Sequence, residues 1–111
     1  MTYRLNRKLV LEAPVRSPDG AGGFDVTWSA LGTLWANIRA RTGRETAGAA
    51  APLSQVSYRI VVRAARPGSD ARPEPDQRFR DGIRLYRILS VAEDDIDGRF
   101  LTCMAQEETV A

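Results

Sequence analysis

Leu34-Trp35-Ala36-Asn37-Ile38-Arg39-Ala40-Arg41 decides the fold. In an extended chain successive side chains point to opposite faces, so Leu34, Ala36, Ile38 and Ala40 share one side. Trp35, Asn37, Arg39 and Arg41 share the other. The stretch reads as a half-buried strand with an arginine-bearing outer face. The same rhythm returns at 55–64, where Val56, Tyr58, Ile60, Val62 and Ala64 alternate with Gln55, Ser57, Arg59, Val61 and Arg63. Two-sided strands of this kind need a sheet to complete them.

Outward from these, shorter strands are expected. Leu9-Val10-Leu11 centres one over residues 7–13 that stops at Pro14, and Phe24-Asp25-Val26-Thr27-Trp28 alternates with period two. Between them Pro18-Asp19-Gly20-Ala21-Gly22-Gly23 is dense in turn formers and reads as a hairpin connection. Phe79 to Val91 makes a strand or two interrupted at Asp81-Gly82. The acidic turn Glu93-Asp94-Asp95-Ile96-Asp97-Gly98 ends in a hairpin signal before a return strand from Arg99 to Glu107. Residues 43–52 lose the alternation; Thr42 is placed to cap a short helix over 44–51, which Pro52 ends. Residues 65–78 hold three prolines without apolar periodicity and read as a flexible, exposed loop. The expectation is one domain over residues 1–111, mainly β. It is a small barrel or sandwich of about six or more strands, with one short inserted α-helix and a long Pro-rich loop.

Composition narrows the function. The 111 residues contain no histidine and one cysteine, Cys103. A catalytic imidazole is therefore missing, and neither an intrachain disulfide nor a multi-cysteine zinc site can form. Lys8 is the single lysine against fifteen arginines. No phosphate-binding glycine loop and no nucleophile–base pair is evident, so an enzyme is not expected and no cofactor is implied. The acidic cluster at 93–97 lacks the ligand ladder of an EF-hand, and no metal site is assigned. No apolar run approaches the about 20 residues of a membrane span, and the N-terminus lacks a signal-peptide core. The net charge of +2 is mild but unevenly spread, with residues 1–63 basic and residues 64–111 acidic. A bipolar chain suits head-to-tail contacts between copies; charges mixed over a solvated surface are the alternative.

Taken in order, these pieces resemble the head–tail joining, or head-closure (stopper), proteins of tailed phages and gene transfer agents. The resemblance runs over roughly residues 5–108. It rests on the Gly-rich turn after Leu9-Val10-Leu11, Trp28, Thr33-Leu34-Trp35-Ala36-Asn37-Ile38, the helix start Gly43-Arg44-Glu45 and Tyr58-Arg59-Ile60-Val61-Val62-Arg63. The closing pair Tyr86-Arg87-Ile88-Leu89-Ser90-Val91 and Arg99-Phe100-Leu101-Thr102-Cys103-Met104 completes it. It implies a structural ring subunit, a dodecamer by family habit, at the neck of a particle assembled in the bacterial cytoplasm. Portal and adaptor proteins would lie on its head side and tail-terminator or tail proteins on the other, with DNA passing through without sequence specificity and no membrane involved. A tail-terminator or adaptor ring, and a small OB-like nucleic-acid-binding barrel, are the competing readings.

Candidate interface residues follow. Trp35 is placed to pack on the inserted helix, to sit in a subunit interface, or to stay exposed; Trp28 is a core or interface anchor. Arg39, Arg41, Arg59 and Arg63 form an outward basic face for salt bridges or DNA, or simply a solvated one. Asp94 and Asp95 of a neighbouring copy are their expected partners. In the loop, Arg66, Asp70, Arg72 and Asp76 are candidates for docking or gating.

Overall fold

A computed structural model describes residues 3–41, 56–94 and 97–108. The described residues form six antiparallel strands: β1 (Arg7–Pro18), β2 (Phe24–Arg41), β3 (Ser57–Arg63), β4 (Arg78–Asp81), β5 (Arg84–Glu93) and β6 (Phe100–Glu108). They close in the order β1-β2-β3-β6-β5-β4, with β4 pairing back to β1. The mainly β expectation holds. The proposed helix at 43–52 lies outside the described residues.

The inward positions are those the alternation marked. Leu9, Leu11, Ala36, Ile60, Val62, Phe79, Tyr86, Ile88, Leu101, Cys103 and Ala105 pack as one buried cluster. Closure leaves the barrel without free edges, but not the whole sheet. The seam between β1 and β4 is three pairs long: Val10 with Arg80, Leu11 with Phe79 and Glu12 with Arg78. Phe79 anchors it from inside.

Two strands are longer than expected. β1 continues through Pro14 to Pro18, and β2 is a single strand from Phe24 to Arg41 rather than two. Both extensions pair with each other, from Glu12 opposite Ala30 to Pro18 opposite Phe24. Prolines are tolerated there because β1 beyond Glu12 has no second partner among the described residues, so no ladder bond is lost. The result is a two-stranded arm standing off the barrel. Between Leu11 and Glu12 the register slips, leaving Leu31 as an extra residue of β2. A bulge of this kind sharpens twist and bends the strand, which is where the arm departs. At its tip Gly20 and Gly22 take φ of 85° and 88°, a region that residues with a Cβ avoid. The Asp19 carboxylate accepts the amides of Ala21 and Gly23 at 2.7 and 3.1 Å and shapes the turn.

The Pro-rich stretch is built of turns rather than open chain. Ser69 N–H donates to the Arg66 carbonyl, Arg72 N–H to that of Ser69, and Gln77 N–H to that of Glu74. Pro73 is fully buried, apolar content that the absence of periodicity concealed.

Candidate assembly surfaces

The arm is held to the barrel by an ion-pair lattice. Glu12 follows the bulge and is 7% exposed. Its carboxylate accepts Arg78 Nε at 2.7 Å and Arg80 Nε at 2.9 Å. Burial works against its charge, but the hydrogen bonds from Arg80 and Arg78 outweigh it and hold the carboxyl below the usual range. The Arg78 guanidinium also lies over the Trp28 ring at 4.0 Å. Trp28 belongs to the arm and Arg78 to β4, so one guanidinium ties arm, seam and barrel together. None of Glu12, Arg78 or Arg80 stood out in the sequence. Their partners are 66 and 68 residues apart, a distance no local pattern spans.

The outer face of β2, β3 and β6 carries the predicted arginines. Arg39, Arg41, Arg59 and Arg63 are all exposed, and Arg39 lies directly opposite Arg59 in the ladder. Like charges so placed repel. Asp94 relieves this within the same protomer, with Arg59 Nη2 at 3.3 Å from its Oδ1. Thr102 and Tyr3 hydroxyls also donate to Asp94. The Thr102 and Tyr3 hydrogen bonds, with Arg59 beside them, keep its carboxyl below the ordinary range. The Arg59–carboxylate pairing expected between copies is thus found inside one chain, where Asp94 also tethers the N-terminal segment. Asp95 lies outside the described residues. Tyr3 packs edge-on to Phe100 with centroids 5.2 Å apart, and Asn37 Nδ2 donates to the Arg4 carbonyl at 3.0 Å. That crossing segment explains why outward-pointing Val61 is only 1% exposed.

Trp35 is 53% exposed, with Lys8 Nζ 5.9 Å from its ring centroid. Beside it Leu5, Leu34, Ala64, Ala65 and Ala71 line a shallow groove of about 310 Å³, with Arg63 at its rim. Of the loop candidates, Arg66 and Asp70 are exposed. Arg72 donates to the Ala65 carbonyl at 3.0 Å, which fixes one wall of that groove. Asp76, at φ 74°, is held by its amide on the Ile88 carbonyl and by Arg87 at 3.3 Å. At the opposite end of the β3–β6 ladder Arg84 grips both oxygens of Glu107 at 2.8 and 2.9 Å, and the Tyr58 hydroxyl donates to the same carboxylate. Among the described residues no group of three or more metal-ligating side chains occurs, and no helix is long and apolar enough to cross a membrane.

The profile of the phage head completion protein family matches residues 1–108. The chain belongs to that family. A chain in the solved structure of the virion of a native gene transfer agent particle is 53% identical. The match covers 99% of this chain and 100% of that one, with a TM-score of 0.83. A comparison with curated proteins gave no match. The family is one of phage structural proteins, which places this head completion protein among particle components rather than among enzymes.

Proposed function

We propose that this head completion protein is a head-closure subunit, copies of which form a ring at the neck of a phage-like particle. The ring sits between a portal-bound adaptor and the tail and leaves a passage for DNA. Membership of the family over residues 1–108, with a relative of the same fold in a gene transfer agent virion, is the observation that carries the reading. The surfaces support it: a protruding arm with exposed apolar side chains, a half-exposed tryptophan and a basic strand face suit a subunit completed by neighbours. Arg39, Arg41 and Arg63 are proposed to face a neighbouring copy or the DNA backbone, whose charge they would meet without reading sequence. Arg66 and Asp70 are proposed to meet the next ring toward the tail. Its job is geometric, to seal and to dock.

Deleting the gene from a producing strain tests this. Filled heads and free tails that fail to join are the expected products, restored by supplying the chain in trans. A normal yield of tailed particles would contradict the proposal.

A further inference from the structure

We propose that the open edge of β2 along the arm, residues 24–33, takes an extended segment of a different protein as a third strand. One end of that segment lies in the groove beside Trp35. This deepens the ring reading above and rests on it. β2 pairs with β1 over the whole arm, but with β3 only from Ala36 to Arg41. Among the described residues nothing pairs with the rest of that second edge, a ladder of backbone donors and acceptors about 30 Å long. Its residues are exposed except for Trp28 and Leu31, which are half-buried. Unpaired groups in such a row are satisfied in register by another extended backbone. The edge runs into the groove because β3 ends at Arg63 and the Ala64 N–H donates to the Arg99 carbonyl at 2.9 Å. Ala64 and Ala65 thereby form one wall, facing Thr33, Leu34 and Trp35.

The side chains define the segment further. The register pairs Trp28 with Pro14, Val26 with Arg16 and Phe24 with Pro18, and cross-strand partners share a face. That face is largely apolar, while Asp25, Thr27 and Ser29 make the other polar. A fitting segment alternates apolar and polar residues and carries a carboxylate at the groove, where Arg63 and Lys8 stand. A second copy of this chain has no described strand to offer. Its β3, β4, β5 and β6 are paired on both sides by closure. Pro14 and Pro18 remove donors from the free edge of β1. Two β2 edges against each other would make a two-fold pair, which does not propagate around a ring.

Photo-cross-linking in assembled particles tests the docking, with a benzophenone side chain placed in turn at Asp25, Thr27 and Ser29. Adducts are expected on one polypeptide other than this chain. Their sites should shift along that sequence by two residues for each step along β2, the signature of strand pairing. Adducts to another copy of this chain, sites that follow no such register, or no adduct at normal incorporation would overturn the proposal while leaving the ring intact. A copy number of one per particle would instead defeat the ring reading itself. As a second measure, Ala65→Arg, which fills the groove, should cut incorporation by about tenfold with an unchanged unfolding midpoint; undiminished incorporation would count against the proposal.

Discussion

Asp94 shows how much a single residue can gather. Its carboxylate holds the N-terminal segment through Tyr3, the ladder through Thr102 and the basic face through Arg59. Charged hydrogen bonds of this kind contribute about 1.5–3 kcal/mol each when deleted, so Asp94→Ala should lower the stability of the isolated protomer by about 2 kcal/mol or more. Urea unfolding measures it; an effect confined to assembly would show that the carboxylate serves neighbours instead. The pH dependence has a definite sign. Asp94, Glu12 and Glu107 all have folded carboxyls below their unfolded values. Their stabilisation is complete above the unfolded range near about 4. It is lost as pH falls through the folded values, so stability should be flat from pH 7 to about 5 and drop below about 4. Trp35 belongs to the opposite category. Half exposed, it should cost under about 1 kcal/mol of folding stability as Trp35→Ala, yet impair incorporation into particles more than Trp28→Phe does. Equal, negligible effects on incorporation would remove Trp35 from the interface.

At the scale of elements, the arm depends on the lattice at its root. Glu12→Ala would leave Arg78 beside a vacated, mostly buried site, and breaking such a pair from one side costs about 3–5 kcal/mol. The expected result is a lower unfolding midpoint together with faster amide exchange over residues 13–30. Unchanged exchange there would mean that the bulge alone sets the arm. Sequence reading caught the alternation of 34–41 and 56–64 because one buried face imposes period two directly on the residues. It missed the continuity of β2 because the extra residue Leu31 and then Gly32 break the rhythm where the bulge falls. Pro14 signals a stop only in strands paired on both sides, and not at an arm edge. The Glu12–Arg78–Trp28 lattice was illegible for another reason: long-range ion pairs leave no trace in local pattern.

For the whole molecule, closure through a three-pair seam makes Phe79 the residue on which the ring of strands depends. Phe79→Ala should cost about 3–5 kcal/mol, read by chemical denaturation, and a cost below about 1 kcal/mol would place the seam elsewhere. The closed barrel buries its own core and still leaves Phe24, Val26, Trp35 and Leu89 substantially exposed. That excess outside a satisfied core is the physical argument for a protein completed by other chains. Electron cryo-microscopy of assembled particles, with the barrel fitted into the density between head and tail, decides whether copies form a ring at the neck. Several copies of this barrel are expected to encircle the DNA path there. Density at the neck that admits no such barrel, in particles with tails attached, would contradict it.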